Sequence, residues 1–249
     1  LPPPERAPRT AVPAPPRLTI DVVTDLSCPL AYLGLRRLRA AINRLSSVGV
    51  VLRFHMLLVN PDMDPGGEDM ASYMRRRRNL SLAEYNEASY PLNQAAADLN
   101  YSYDTHRRVI NPTRAHLAVA AAGETAAARA AAYEHLAARY FEAGDDISDV
   151  RVLSDALGAL GQPKMRDELT LRRVLDVHEG AVLRLHRSLE RLVDGVPTFV
   201  IREGSSGAGV LLRGQVPEVV EFERALTDAA AAAHAPPIGD GYGLLEPPG

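Results

Sequence analysis

Residues 20–34 read Ile20-Asp21-Val22-Val23-Thr24-Asp25-Leu26-Ser27-Cys28-Pro29-Leu30-Ala31-Tyr32-Leu33-Gly34 and contain the single cysteine of the chain. The first part belongs to an apolar, β-branched run, Leu18 to Val23, which has the length of a strand. Pro29 fits the first position of a helix, where its missing N–H is not needed. The stretch therefore predicts a buried strand that leads into a helix, with Cys28 as the N-cap.

Cys28 is a candidate nucleophile because of this position. Unpaired amides and the positive end of the helix dipole stabilise a thiolate, which lowers the pKa of a cysteine and makes it reactive near neutral pH. A lone cysteine can also be an ordinary buried thiol. The N-cap position favours the functional interpretation, and we predict that Cys28 is catalytic.

The composition indicates a globular chain, with 46% hydrophobic residues and no apolar run of membrane length. The net charge of −3 provides no overall field for nucleic acid. One cysteine excludes an internal disulfide and a cluster of cysteine ligands. Because no histidine pair has metal-ligand spacing with an accompanying carboxylate, we expect no metal.

Both ends of the chain are predicted to lie outside the folded part. Residues 1–17 include seven prolines before position 17 and lack an apolar signal core, so we expect a flexible arm and a cytoplasmic protein. Residues 234–249, rich in proline and glycine, are expected to form a C-terminal tail.

Hydrophobic periodicity predicts the remaining elements. Val50 to Leu58 is a second strand, so the first strand, helix and second strand form a parallel, right-handed unit. Thr198 to Ile201 and Gly209 to Leu212 form a hairpin. The predicted helices are Pro29 to Leu45, Met70 to Arg78, Leu82 to Leu99, Thr113 to Ala122, Thr125 to Ala143, Asp149 to Leu160, Met165 to Leu192 and Val216 to Ala233.

Several motifs carry a family resemblance. Cys28 to Ala31 resembles the Cys-Pro-x-Cys segment of the DsbA-like branch of the thioredoxin superfamily, with Ala31 in place of the second cysteine. Cys28 to Leu33 is also similar to the Ser-Pro-x-(Ser/Ala)-Tyr-Leu segment of 2-hydroxychromene-2-carboxylate isomerases and kappa-class glutathione transferases, where a serine replaces Cys28. Further matches, in the order found in FrnE-like proteins, are Asn60 to Met63, Asn111 to His116, Tyr140 to Asp145 and Gly195 to Ile201.

The resemblance implies an α/β fold: a thioredoxin-like, four-stranded mixed sheet with a large helical insertion. We assign residues 18–68 and 194–233 to the thioredoxin-like domain and residues 69–193 to the helical insertion, which in the resembling family forms a lid over the thiol. Asp62 to Glu68 would then be a mobile loop at the end of the sheet that bears Cys28.

The resemblance also implies a set of substrate-binding residues. It implies a cis peptide before Pro197, with the Val196 backbone beside the sulfur, and an Asn-Pro pair, beginning at Asn60, near the bound thiol or substrate. Tyr32 lies one helical turn beyond Cys28 and either donates to an enolate or packs in the core. Either His106 or His116 could carry a proton, or be structural or solvated. The predicted substrate-binding residues are Tyr32, Asn60, His106, Asn111, Val196 and Pro197.

Three functions stay open for this site. A dithiol oxidoreductase needs a second thiol to release its mixed disulfide, and Ala31 cannot supply one. A single thiolate can add to a conjugated double bond, allow rotation and leave again. We therefore predict a cis–trans isomerase of an unsaturated acid or acyl thioester, of the kind found in polyketide-type secondary metabolism. The alternatives are a monothiol oxidoreductase or glutathione-dependent transferase or isomerase, and a non-catalytic binding module. No cofactor is required, although glutathione or another small thiol could take part.

Arg75 to Arg78 is the strongest run of charge. Such a run is usually a solvated helix face. Together with Arg36, Arg37 and Arg39 it could instead form a basic patch for an acidic partner, such as a phosphopantetheine-bearing carrier protein. We therefore expect the substrate to be a small molecule, either free or bound to a carrier protein. We expect no nucleic-acid partner, because the aromatic side chains that would stack on bases are absent. The protein could also be a homodimer.

Overall fold

The computed structural model describes residues 17–45, 48–162, 167–204, 209–214 and 216–232. Within these residues the chain forms four strands and nine helices. Their order is β1 (Arg17–Thr24), α1 (Pro29–Arg44), β2 (Gly49–Met56), α2 (Met70–Arg78), α3 (Leu82–Ala88), α4 (Tyr90–Ala97), α5 (Thr113–Ala121), α6 (Ala126–Phe141), α7 (Val150–Ala159), α8 (Glu168–Glu190), β3 (Thr198–Glu203), β4 (Gly209–Leu212) and α9 (Val219–Ala232). None of these helices is both long and apolar enough to cross a membrane.

The four strands form one mixed sheet in the order β2-β1-β3-β4. β1 runs parallel to β2 and antiparallel to β3, and β3 pairs with β4 in an antiparallel hairpin. The predicted strand–helix–strand unit, the hairpin and the mixed four-stranded sheet are therefore confirmed. Because β1 is central, the turn that follows it lies between the ends of its two neighbouring strands.

Alternation along β1 divides the sheet into two faces. Leu18, Ile20 and Val22 are fully buried on one face, in the same core as the buried residues of α1 and α9. α1 lies very close to β3, since a Cβ added at Gly34 would come 2.9 Å from the ring of Phe199. This close packing fixes the start of α1 relative to the sheet.

The segment from α2 to α8 lies between β2 and β3 in sequence and shares its core with the sheet. Phe54 of β2 stacks on Tyr133 of α6, with their ring centroids 4.2 Å apart. The proposed division into two domains stays a prediction. The predicted arm and tail fall outside the described residues, apart from position 17.

One predicted helix is wrong in extent. Leu82 to Leu99 forms two helices, α3 and α4, with Ser89 at the break and Pro91 in the first turn of α4. Proline lacks an amide hydrogen and disfavours helical geometry in the residue before it, so a single helix cannot pass through Pro91 without a break. The predicted ends at Met165 and Ala233 lie outside the described residues.

Candidate active site around Cys28

Cys28 caps α1 at the end of the turn that follows β1. Its backbone is extended, with φ −91° and ψ 111°, and its side chain makes no capping hydrogen bond. The Cys28 amide donates to the Asp25 carbonyl oxygen at 3.0 Å, and the Cys28 carbonyl accepts from the Ala31 amide at 3.1 Å. The predicted strand–turn–helix is confirmed, and the Cys28 sulfur is not used to cap the helix.

The protonation state of Cys28 differs from the prediction. Burial raises the pKa of the thiol to about 11; the amides of Ala31 and Leu30 act to lower it, and the charge of Asp25 adds to the rise. The predicted lowering of the pKa is wrong because burial and a neighbouring carboxylate outweigh the helix amides. At pH 7 about one thiol in ten thousand is ionised.

Asp25 is fully buried three residues before Cys28. Its carboxylate accepts from the Ser27 amide at 2.8 Å, from the Ser27 hydroxyl at 2.9 Å and from the Val59 amide at 2.6 Å. Burial alone would raise the pKa of Asp25, but His116 and the amides of Val59 and Ser27 hold it below its ordinary value. Asp25 therefore places a negative charge beside the thiol.

Asp25 is not among the residues predicted from the sequence. The available signal is an acidic residue among the apolar positions Val23 and Leu26, only three residues before the cysteine. An ionisable side chain in such a run is buried with it and requires partners. That signal identifies Asp25 but none of its distant partners.

His116 connects α5 to the same turn. Its Nε2 atom accepts from the Leu26 amide at 3.1 Å and lies 3.5 Å from Oδ1 of Asp25. A neutral ring can accept the Leu26 amide, whereas a ring protonated at Nε2 would donate to Asp25 instead. His116, which was predicted to be either a proton carrier or a structural residue, thus contacts the turn that precedes Cys28.

Val196 and Pro197 lie at the same end of the sheet. Thr198 pairs with Val23, so the residues just before β3 face the end of β1, which Cys28 follows. The peptide bond between Val196 and Pro197 is cis, as the resemblance implies. Val196 also packs beside the buried cluster of Val23, Leu57 and Leu189.

Asn60 lies in the loop after β2, and Asn111, just before α5, contacts that loop. The Asn60 side-chain oxygen accepts from Arg77 at 2.6 Å, and Asn60 directly follows Val59, which donates to Asp25. Asn111 donates to the Met63 carbonyl oxygen at 2.6 Å. Asn60 is thereby brought to the Cys28 end of the sheet, and Asn111 anchors the loop that carries it.

Tyr32 and His106 make their hydrogen bonds away from the Cys28 sulfur. Tyr32 is buried, and its hydroxyl donates to Glu142 and accepts from Arg36 at 3.1 Å. It lines a groove of about 420 Å³ between α1 and α6. His106 is exposed, and its amide donates to the Asp104 carboxylate at 2.7 Å. Neither contact involves Cys28.

The predicted basic patch, which combined the arginines of α1 with those of α2, does not include the α1 arginines. The three α1 arginines are each paired with a carboxylate from another part of the chain: Arg36 with Glu142, Arg37 with Glu218 and Arg39 with Glu134. Their charges are therefore already compensated. The four arginines that end α2 remain as a separate group.

Solved structures of known proteins share this fold. A probable DsbA oxidoreductase from Streptomyces coelicolor is 20% identical with a TM-score of 0.67, covering 91% of this chain and 94% of its own. A 2-hydroxychromene-2-carboxylate isomerase is 15% identical with a TM-score of 0.57, covering 84% and 95%. The cytosolic disulfide reductase DsbM from Pseudomonas aeruginosa, solved with GSH, is 18% identical with a TM-score of 0.53, covering 86% and 96%.

These similarities establish the fold and leave the activity open, since the neighbours include both oxidoreductases and an isomerase. No curated protein matches the chain by sequence. The family model of the DSBA-like thioredoxin domain matches residues 19–218, a range that includes the sheet, Cys28 and the cis-proline. With this match over most of its length, the chain belongs to the DsbA-like thioredoxin family.

Proposed function

We propose that the chain is a cis–trans isomerase of conjugated unsaturated acids or acyl thioesters, in which Cys28 adds reversibly to the double bond. The proposal rests on Ala31, which occupies the second cysteine position of the motif and leaves Cys28 as the one cysteine of the chain. A thiol without a resolving partner cannot release a mixed disulfide by itself. Reversible addition needs no such partner, because the same sulfur leaves at the end.

The proposed reaction involves no net oxidation or reduction. The Cys28 S–H bond breaks and its proton passes to solvent, after which the thiolate forms a C–S bond at the β-carbon. The π electrons of the double bond move onto the carbonyl oxygen as an enolate. Rotation about the new single bond interconverts the isomers. The enolate then restores the double bond and expels Cys28, which regains a proton.

The raised pKa of Cys28 argues against disulfide exchange of the kind that DsbA carries out. DsbA itself has a thiol pKa of about 3.5, which makes its cysteine a good leaving group from a mixed disulfide. A thiol with a pKa of about 11 is a poor leaving group from such a disulfide. Its thiolate, once formed, is a strong nucleophile toward an electron-poor carbon.

Three predicted residues support a substrate position beside the sulfur. Asn60, Val196 and Pro197 lie at the Cys28 end of the sheet, where a polar side chain and a backbone segment can orient an acyl group. Tyr32 and Asn111 would have to exchange their present hydrogen bonds to contact substrate. We keep these two and His106 as weaker candidates.

The role of glutathione follows from the same chemistry. Cys28 supplies the sulfur, so the proposed isomerase requires no added thiol. A free thiol of this kind stays reduced in the cytoplasm, which is the location we propose.

The test is turnover of a cis-α,β-unsaturated acyl thioester, followed by the change in ultraviolet absorbance. Cys28→Ala and Cys28→Ser are expected to lose at least about a hundredfold in rate, because each removes the nucleophile. The wild-type rate should rise about tenfold per pH unit from pH 7 to pH 10, below the pKa of the thiol. Full activity in Cys28→Ala would refute the mechanism.

A variant of the motif separates isomerase from oxidoreductase. Ala31→Cys restores Cys-Pro-x-Cys, so this variant is expected to gain insulin-disulfide reduction, while the wild type stays inactive with or without glutathione. Disulfide turnover by the wild type in the presence of glutathione would favour the monothiol oxidoreductase instead.

The rare ionisation of Cys28 at pH 7 favours one further candidate, a module that binds unsaturated acyl groups without converting them. Equal binding of the thioester by the wild type and Cys28→Ala, without turnover by either, would support that candidate and reject the isomerase.

A further inference from the structure

Four consecutive arginines, Arg75 to Arg78, end α2, and all four are exposed; we call them the α2 arginine surface. Arg76 pairs with Glu68, and Arg77 donates to Asn60. In the part of the chain that the structure describes, no carboxylate lies within ion-pair distance of Arg75 or Arg78. Among the described residues, therefore, no carboxylate neutralises the charge of Arg75 or Arg78.

The α2 arginine surface is linked to the Cys28 turn by a short series of contacts. Arg77 donates to the Asn60 side chain at 2.6 Å. Val59, the residue before Asn60, donates its amide to the Asp25 carboxylate at 2.6 Å. The Asp25 carbonyl oxygen in turn accepts from the Cys28 amide at 3.0 Å. The end of α2 that carries the arginines therefore contacts, through Arg77, the loop that borders the thiol.

Two large apolar side chains are exposed along the same border. Leu30 follows Pro29 in the first turn of α1 and is 47% exposed, and Val59, three residues after β2, is 59% exposed. Apolar side chains exposed close to one another mark surfaces that contact other molecules. The border of the site thus combines an apolar part near the thiol with a cationic part on α2.

We infer that this border and the α2 arginine surface dock an acidic carrier protein that presents the substrate of Cys28 as a thioester. The inference rests on the proposed function, because the carrier's cargo is the unsaturated acyl group that Cys28 would attack. Charge complementarity selects an acidic partner. Four consecutive exposed guanidinium groups are more cations than one small carboxylate can pair with, so the surface fits a protein that presents several acidic side chains.

The experiment uses an acidic acyl carrier protein loaded with a cis-α,β-unsaturated acyl chain, and the same chain on N-acetylcysteamine and on coenzyme A. The variant is Arg75→Glu/Arg78→Glu, which spares the two arginines that have internal contacts. The matched control, Arg172→Glu/Arg173→Glu, makes the same charge change at exposed positions near the start of α8.

We expect the α2 variant to lower kcat/KM for the carrier-bound chain about tenfold or more and to reduce its dependence on salt. Turnover of the N-acetylcysteamine and coenzyme A thioesters should stay within about twofold of the wild type, and the control variant should behave as wild type. An equal loss in the control, an equal loss with coenzyme A, or no loss with the carrier would overturn the inference.

Binding of the fluorescently labelled carrier to the Cys28→Ala protein separates this inference from the isomerase proposal. Loss of binding on adding the α2 substitutions, without turnover of any thioester by the wild type, would support the docking surface and reject the isomerase. Turnover of the N-acetylcysteamine thioester with carrier binding that is insensitive to those substitutions would reject the docking surface alone.

Discussion

Two aspartates, Asp21 in β1 and Asp25 just after it, are both fully buried, and their charges are stabilised in different ways. Asp21 lies among side chains from neighbouring strands: the guanidinium groups of Arg53, at 2.8 and 2.9 Å, and Arg202, at 3.1 Å, and the imidazole of His55, at 2.7 Å. Asp25 accepts hydrogen bonds from the amides of Val59 and Ser27 and from the Ser27 hydroxyl. Burial raises the pKa of Asp25, and His116, 3.5 Å from its carboxylate, contributes most to lowering it.

The difference teaches what a buried carboxylate does to its surroundings. The charge of Asp21 is balanced by charges of opposite sign, so it joins strands. Asp25, beside His116 and backbone amides, keeps its negative charge. Burial raises the pKa of Cys28, and the charge of Asp25 adds to that rise. Two identical residues in one short stretch therefore have different consequences: Asp21 supports the sheet, and Asp25 adds to the effect of burial on the pKa of Cys28.

The largest expected effect is that of Asp21→Asn. This substitution leaves Arg53 and Arg202 facing an uncharged amide, and breaking a buried ion pair in this way costs about 3 kcal/mol or more. The free energy of unfolding in urea measures the loss. Asp228→Asn, an exposed position on α9, is the matched control and should change stability by less than about 0.5 kcal/mol.

Asp21 is also expected to make the stability of the fold depend on pH in acid. Burial raises the pKa of Asp21, but His55 and Arg53 outweigh burial and lower it from 3.8 to about 2. A lowered pKa stabilises the fold above pH 4, and this contribution, about 2 kcal/mol, disappears as the pH falls from about 4 to about 2. Asp21→Asn should lack this part of the pH dependence. An unchanged acid profile would show that Asp21 does not carry it.

Asp25→Asn is expected to act on reactivity. Removing the negative charge lowers the pKa of Cys28, and a drop of one unit gives about tenfold more thiolate at pH 8, each about threefold less nucleophilic. Alkylation by iodoacetamide should therefore become about threefold faster, and isomerisation should follow it. Faster alkylation with slower isomerisation would instead identify Asp25 as the base that takes the thiol proton.

The smallest effects are expected from the two histidines. His55→Gln leaves both arginines on Asp21, and His116→Gln keeps an acceptor for the Leu26 amide, so each should cost less than about 1 kcal/mol in stability. We expect only His116→Gln to slow alkylation of Cys28, by less than about threefold, because it removes a ring that can offset the charge of Asp25. Equal alkylation rates in the two histidine variants would show that His116 does not influence the reactivity of the Cys28 thiol.

Local signals in the sequence were sufficient for most of the framework. The apolar run of β1, the Cys28-Pro29 helix start and the hairpin of β3 and β4 each depend on neighbours in sequence, and each is confirmed. Pro91 is a local signal as well, and it accounts for the break between α3 and α4.

Partners that are distant in sequence account for what could not be predicted. Ninety positions separate Leu26 from His116, and no pattern in the chain joins Asp25 to that histidine. The α1 arginines look free in the sequence because their carboxylates come from α6, the residue after it and the segment before α9. The pKa of Cys28 depends on burial, which a helix-start pattern does not reveal.

A backbone β-bridge precedes α2 and helps to position it. Glu68 and Val109 exchange two hydrogen bonds, at 2.8 and 2.9 Å, just before α2 begins. At the adjacent Gly67, with φ +64°, an added Cβ would come 2.4 Å from the Val109 carbonyl oxygen. Only a residue without a side chain allows this close approach, so Gly67 lets the segment that precedes α2 bind to the segment that precedes α5.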